Sequence, residues 1–189
     1  MQAPQLNVIF ITLLVLALSS CSTLVGNVKP IDQKSQQYSI SEPSAHIWQK
    51  IDPTTLVSDK AKFDPTSSTY SSEVTDLTFQ SKKTAGIISL NSSCRQGRAE
   101  EKDLDLITRE LLLGITHVTL RTDESISIQN TPAMQTTVQG KIAGALTRIR
   151  TVVLSKDECI YDLMYVSTPE QFKVHEDDFN RFVSSLRLR

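Results

Sequence analysis

Glycine and histidine are both scarce in this chain of 189 residues, which contains six glycines and three histidines. A P-loop or a dinucleotide-binding fingerprint needs glycines clustered after a strand, whereas Gly140 and Gly144 stand apart from such a cluster. The chain also lacks the G-x-S-x-G sequence that carries the nucleophile of many serine hydrolases and the His-Glu-x-x-His sequence of zinc helices. No known catalytic motif therefore points to an enzyme.

The three histidines lie in different segments, at His46, His117 and His175. A metal site needs several ligands at one place, and no second histidine or cysteine follows any of these at ligand spacing. We therefore expect no metal and no cofactor, unless the fold brings the three side chains together.

Excess charge of either sign is also missing, because 20 basic and 21 acidic residues leave a formal net charge of −1. A nucleic-acid-binding surface needs a concentrated positive face, so nucleic acid is not an expected partner. Arg148 and Arg150 alternate with apolar residues, and the pattern predicts that they line the solvated face of a strand.

The N-terminus carries a long apolar run, from Val8 to Leu18. The run is shorter than the roughly 20 residues that a membrane-spanning helix needs. It leads into Leu18-Ser19-Ser20-Cys21, which resembles the lipobox of bacterial lipoproteins, although residues 2–7 lack the usual lysine or arginine. The resemblance implies a signal peptide over residues 1–20, cleavage before Cys21, and acyl chains such as palmitate on Cys21. With serine at position 22, it also implies an outer-membrane location facing the periplasm.

These expectations divide the chain into three parts. Residues 1–20 form the signal peptide, and residues 21–37 form a lipidated, flexible tether that is polar and contains Gly26 and Pro30. Residues 38–189 are long enough for one domain with its own core. No second apolar run approaches membrane-spanning length, so the lipid on Cys21 is the expected membrane attachment.

Two cysteines remain after Cys21, namely Cys94 and Cys159. Disulfides persist in exported proteins, and two cysteines allow one intramolecular pair. A disulfide between them is the expected arrangement, with two buried thiols or a metal pair as the alternatives.

The order of predicted elements indicates an α+β domain. Short strands are expected near residues 38–41, 76–80 and 85–91, with Trp48 in the core and a loop over residues 52–73. A helix is predicted from Glu101 to Gly114, with its acidic first turn solvated. Strands then follow over residues 117–121, 125–129 and 134–138, with a turn at Asp123-Glu124. The strongest hairpin joins residues 147–154 to residues 159–166 through a turn at 155–158.

The last helix begins at Thr168-Pro169-Glu170-Gln171, which has the sequence of a capping box. Its apolar residues recur at helical spacing and predict one buried stripe, formed by Phe179, Phe182, Val183 and Leu186.

Three stretches together resemble the Mog1/PsbP-like superfamily over about residues 38–188. They are the opening residues 38–43 with the nearby Trp48, the hairpin strand ending at residues 161–165, and the closing residues 178–187. The resemblance implies an antiparallel β-sheet flanked by helices, in an α/β/α sandwich. It implies no single function, because members of one fold serve unrelated roles.

The expected function is that of a non-enzymatic lipoprotein of the cell envelope. Its expected partners are the membrane, through the lipid on Cys21, and a protein partner or a bound lipid, as an accessory to an envelope assembly or transport system. The alternative is an envelope hydrolase whose site is built from scattered residues, for which His117 or His175 beside a carboxylate in a pocket would be the sign. A subunit of a photosynthetic complex, as the PsbP branch suggests, is a third possibility.

Overall fold

A computed structural model describes residues 35, 37–52, 76–94 and 103–189. The elements in chain order are β1 (Tyr38–Ser39), β2 (Trp48–Lys50), β3 (Leu77–Ser81), β4 (Ile87–Cys94), α1 (Leu104–Leu111), β5 (Thr116–Ile128), β6 (Thr131–Ile142), β7 (Ala145–Lys156), β8 (Cys159–Ser167), α2 (Pro169–Ser184) and β9 (Arg187–Leu188). The predicted signal peptide, Cys21 and most of the predicted tether and of the 52–73 loop lie outside the described residues.

Seven strands form one antiparallel sheet in the order β2-β3-β4-β8-β7-β6-β5. All its neighbouring strands except β4 and β8 are consecutive elements of the described chain. β1 and β9 form a separate two-stranded sheet that brings the two ends of the domain together.

The main core lies between the sheet and α2. Alternate residues of the central strands point toward the helix, as the strand period of two requires. The predicted stripe on the closing helix is confirmed, since all four of its residues are buried. Trp48 is also buried, as predicted. The core on this face includes Ile88, Leu90, Val152, Leu154, Leu163 and Tyr165.

A smaller core lies on the opposite face of the sheet. Leu112, at the end of α1, packs with Val138 and Ile149, and Ile115 adds to the cluster. Because the two helices cover opposite faces, the described domain has three layers, α/β/α. The predicted fold class is confirmed.

The prediction of a turn at Asp123-Glu124 is wrong, because β5 runs through both residues without interruption. Both carboxylates have partners along the strand pair. Asp123 accepts hydrogen bonds from Arg121 and Thr136, and Glu124 accepts one from Gln135. The real turn is at residues 129–130, which both have positive φ, so β5 and β6 form one long hairpin.

The predicted β7–β8 hairpin is confirmed, with its two-residue turn at 157–158. The prediction that Arg148 and Arg150 face solvent is wrong, because α2 covers this part of the strand. Arg150 pairs with Glu176 at 2.8 Å, and both arginines lie over the Phe172 ring. Burial alone would raise the pKa of Glu176, but the hydrogen bond from Lys173 and the charge of Arg150 outweigh it and hold that pKa below its ordinary value.

The helix boundaries differ slightly from those predicted. Asp103 caps α1 by accepting hydrogen bonds from the backbone of Asp105 and Leu106, so the described helix begins at Leu104. Thr168 precedes α2 and Pro169 occupies its first turn, as predicted, but the Thr168 side chain makes no capping hydrogen bond. Within the described ranges, no helix combines the length and apolar character needed to cross a membrane.

Candidate functional site

The structure contains the predicted disulfide between Cys94 and Cys159. The two residues are direct cross-strand partners, at the last position of β4 and the first position of β8. Cys21, the predicted lipidation site, lies outside the described residues.

The start of the described chain is attached to the same two strands, at the cross-strand pair two positions before the disulfide. The backbone N–H of Ser35 donates to Ser92 Oγ at 2.8 Å, and Ser35 Oγ lies 2.8 Å from the hydroxyl of Tyr161. Ser92 and Tyr161 face each other across β4 and β8. We call these residues, together with Tyr38 and Asp76, the anchor junction. Ser35 is buried there, three residues before the predicted start of the domain.

Within the anchor junction, Asp76 connects Ser92 to Tyr38. Its Oδ2 accepts hydrogen bonds from Ser92 Oγ at 2.5 Å and from the hydroxyl of Tyr38 at 3.1 Å. Burial, and then the neighbouring Asp76 carboxylate, raise the pKa of Tyr38 well above its ordinary value. Tyr38 therefore stays protonated and able to donate its hydrogen bond at physiological pH.

The three histidines do not come together. His46 and His117 are exposed, whereas His175 lies on the buried side of α2 with 3% of its surface accessible. No group of three candidate metal ligands occurs among the described residues.

His175 is the centre of a polar network between α2 and the edge of the sheet. Its Nε2 lies 2.8 Å from Ser81 Oγ, and its Nδ1 lies 2.9 Å from Asp178 Oδ2. Trp48 packs against the imidazole with 4.8 Å between ring centres and 59° between ring planes, and its indole N–H donates to the same Asp178 oxygen at 3.1 Å. We call Trp48, Ser81, His175, Asp178 and Arg181 the histidine network.

Local sequence places these residues. Trp48 and Ser81 are cross-strand partners on β2 and β3. His175 and Asp178 are three residues apart on α2, where side chains at that spacing are neighbours. Arg181 pairs with the other oxygen of Asp178.

The pKa of Asp178 follows from this setting. Burial alone would raise it, but hydrogen bonds from His175, Trp48 and Arg181 and the positive charge of Arg181 outweigh burial. The pKa of Asp178 is therefore held below its ordinary value, and the carboxylate is ionised at neutral pH.

The order serine, histidine, aspartate has the connectivity of a catalytic triad. A nucleophilic serine must be free to approach a substrate, however. Ser81 Oγ also accepts hydrogen bonds from the backbone N–H groups of Lys83 and Thr84, at 3.2 Å each. These two bonds occupy both lone pairs of the oxygen, so the hydroxyl proton points to His175 Nε2. Ser81 is also only 4% exposed. This geometry is typical of a serine that closes a turn and fixes a buried histidine.

Two pockets border α2 in the described part of the chain. The smaller, about 320 Å³, is lined by His175, Asp178 and Arg181 of the histidine network, with Lys83 and Asp177 beside them. His175 therefore lies beside a carboxylate in a pocket, as the hydrolase alternative requires, whereas the exposed His117 does not line it. The larger, about 540 Å³, lies between the C-terminal half of α2 and the end of the β5–β6 hairpin. Its floor contains Ile126, Ile128 and Val183, and its polar lining contains Gln129, Gln135, Asn180, Ser184 and Arg187.

The acidic group before α1 is partly described. Asp103 caps the helix, and Asp105 pairs with Arg109 and Arg121. These contacts occupy the carboxylates as the sequence predicts for a helix start. Glu100 and Glu101 lie outside the described residues.

Sequence analysis named His175 beside a carboxylate as a possible site but did not identify its partners Trp48, Ser81 and Asp178. His175 lies three residues after Phe172 and four before Phe179, on the apolar stripe of the helix. A histidine at such a position needs buried partners, and Asp178 three residues later is one that the spacing reveals. Ser81 and Trp48 are 94 and 127 residues from His175, and no local pattern connects them.

No protein-family model and no curated protein sequence matches this chain. Several solved structures resemble it. The solution structure of CyanoP, the PsbP protein of the cyanobacterium Synechocystis, matches with a TM-score of 0.52 and 11% identity over 92% of this chain and 99% of CyanoP. This likeness shows that the chain has the PsbP-like fold.

Two further structures match less closely. LpqN of Mycobacterium tuberculosis, described as involved in cell envelope biogenesis, has a TM-score of 0.48 and 13% identity over 83% of this chain and 86% of LpqN. A Pseudomonas aeruginosa protein of unknown function, described as a putative regulator, has a TM-score of 0.48 and 18% identity over 58% of this chain and 78% of its own.

Proposed function

We propose that this protein is a lipid-anchored, non-enzymatic binding subunit of the cell envelope. In this proposal acyl chains on Cys21 hold it to the outer membrane, and the domain faces the periplasm. There it serves as an accessory to an envelope assembly or transport system by binding a protein of that system.

The observation that carries the proposal is the anchor junction. The segment that would continue the lipid tether enters the domain at Ser35, and its N–H and hydroxyl bind Ser92 and Tyr161 of two central strands. β1 then pairs with β9. A tether that holds the domain in place must be fixed to it, and the hydrogen bonds of Ser35 provide such a fixed point. The end of a chain that is merely released by processing does not require one.

Intact mass of the protein purified from membranes of its own host tests the anchor. We expect the mass of the chain from Cys21 plus acyl groups, and release from the membrane in a Cys21→Ala variant. A simply cleaved or unmodified chain would contradict the proposal. Cross-linking in intact cells, followed by purification of the acylated protein, then identifies the partner, and the Cys21→Ala variant is the matched control.

The histidine network favours one other function, that of a hydrolase using Ser81. A fluorophosphonate probe that reacts with activated serines tests it, with Ser81→Ala as the control. We expect no labelling of native protein, because Ser81 Oγ already accepts two backbone hydrogen bonds and is buried. Labelling that disappears in the Ser81→Ala variant would establish the hydrolase instead.

A further inference from the structure

The β6–β7 hairpin ends in a turn composed of apolar residues and glycine. Residues 142–146 read Ile-Ala-Gly-Ala-Leu, and all five are exposed. Ala143 and Gly144 both have positive φ, which makes a tight two-residue turn. Natural hairpin turns usually carry polar residues, so an exposed aliphatic turn needs an explanation.

The start of β5 extends this surface. Thr116 pairs with Lys141, and the Ile115 side chain lies so close to Gly140 that a Cβ there would meet it at 2.6 Å. Exposed Leu113 and Val118 flank this crossing. We call Leu113, Val118, Ile142 and Leu146 the distal tip.

The two apolar side chains of the hairpin itself lie on opposite faces of the ribbon. Ile142 is in register with Ala145, whereas Leu146 is in register with Lys141. One surface packed against one face would leave the other side chain in water. A lipid interface surrounds an inserted turn and covers both.

The charged residues next to the distal tip are basic. The stretches 113–119 and 139–148 contain no acid, and their charged residues are the exposed Lys141 and Arg148, which is partly covered by α2. The β7–β8 turn at the other end of the sheet carries Asp157 and Glu158 instead. An anionic lipid surface therefore attracts the distal tip and repels the opposite end.

The distal tip can reach the membrane to which the tether leads. β6 starts beside the Gln129-Asn130 turn, near β9, and the 11 residue steps from Thr131 to Ile142 at the tip span about 36 Å at roughly 3.3 Å per residue. The 14 peptide units from Cys21 to Ser35, where the anchor junction holds the chain, span up to about 46 Å when extended. A tether of this length allows the lipid and the tip to enter the same bilayer.

We propose that the distal tip is a second membrane contact, which inserts its aliphatic side chains into an anionic lipid surface. This proposal rests on the proposed lipid anchor for its orientation, and its experiment separates the two. When the tip is inserted, the domain stands with the β6–β7 turn in the interface and the acidic β7–β8 turn away from it.

The test uses the full chain, isolated from its host and reconstituted into vesicles of phosphatidylethanolamine with phosphatidylglycerol. An environment-sensitive fluorophore is attached to an Ala143→Cys variant, and an Asn130→Cys variant is the matched control. Both positions are exposed residues of two-residue turns, at opposite ends of β6. We expect a blue shift and quenching by brominated lipid at position 143 and neither at position 130.

Two further variants test whether the aliphatic side chains cause the blue shift at position 143. Ile142→Ser with Leu146→Ser should abolish the shift at position 143, whereas Val174→Ser, an exposed apolar residue on α2, should leave it unchanged. Vesicles of phosphatidylcholine alone should give a smaller shift, since they carry no net charge for Lys141 to meet.

A label at position 143 that stays in water on anionic vesicles, or that behaves like the label at position 130, overturns the proposal. Quenching that needs native membranes with their proteins also overturns it, and points to a protein at the tip. Intact mass reports acylation of Cys21 independently, so the failure of the anchor and the failure of the tip contact are separate results.

Discussion

Replacement of Ser81 by alanine distinguishes a structural serine from a catalytic one by the sign of its effect on stability. Ser81 Oγ donates to His175 Nε2 and accepts from two backbone N–H groups. The alanine variant leaves all three groups without this partner. His175 is 3% exposed, so water cannot easily replace the lost bond.

The magnitude follows from that burial. A buried polar group left without a partner costs about 1–3 kcal/mol, and the two N–H groups are only partly buried. We expect Ser81→Ala to lower the free energy of unfolding by about 2 kcal/mol. At this chain length, the loss corresponds to a melting temperature lower by about 4–8 °C.

Urea unfolding followed by Trp48 fluorescence measures the change, because Trp48 packs against His175 within the same network. Ser184→Ala is the control, since its exposed hydroxyl bonds one carbonyl of its own helix, and it should cost less than about 0.5 kcal/mol. A double variant, Ser81→Ala with His175→Phe, should lose less than the sum of the single changes, because it removes both partners.

The result that refutes the reasoning is a Ser81→Ala protein as stable as the native one, or more stable. Catalytic residues often lie in arrangements that reduce stability, and their removal commonly increases it. Such a result would make the hydrolase the better explanation of the network.

Two other changes test the described structure. Asp178 has a lowered pKa in the folded protein, so it stabilises the fold above its unfolded pKa near 3.8, and this contribution is lost as the pH falls through the folded value. Asp178→Asn should therefore make stability depend less steeply on pH during acid unfolding, measured by circular dichroism. An unchanged pH dependence would contradict the lowered pKa of Asp178. Replacement of both Cys94 and Cys159 by alanine should cost about 4 kcal/mol in urea unfolding, because their bond closes a 65-residue separation. Reductant should then lower the free energy of unfolding of the native protein and leave that of the double variant unchanged. An equal response of the two proteins would contradict the disulfide.

The sequence predicts most of the fold because hydrophobic patterning is local. The stripe that ends at Leu186, the β7–β8 hairpin and the burial of Trp48 follow from spacing and residue size. The turn at Asp123-Glu124 was mispredicted because charged residues are typical of turns, whereas here they line an exposed edge strand with partners beside them.

The candidate site was less predictable, since its partners are brought together by tertiary structure. Arg150 was expected in water because its neighbours alternate, and alternation does not reveal that a helix covers the polar face. The sequence singled out His175 but not the residues that contact it. Its network depends on Ser81, which reaches it only when β3 and α2 are packed together.

The anchor junction and the disulfide lie at the same end of the β4–β8 ladder. Pairs at the end of an antiparallel ladder are the first to separate, since they have neighbours on one side only. Ser92 and Tyr161 bind the incoming chain at such an end of the β4–β8 ladder. The Cys94–Cys159 bond lies at the terminal pair, two residues beyond the attachment, and joins the two strands covalently at the end that would otherwise separate first.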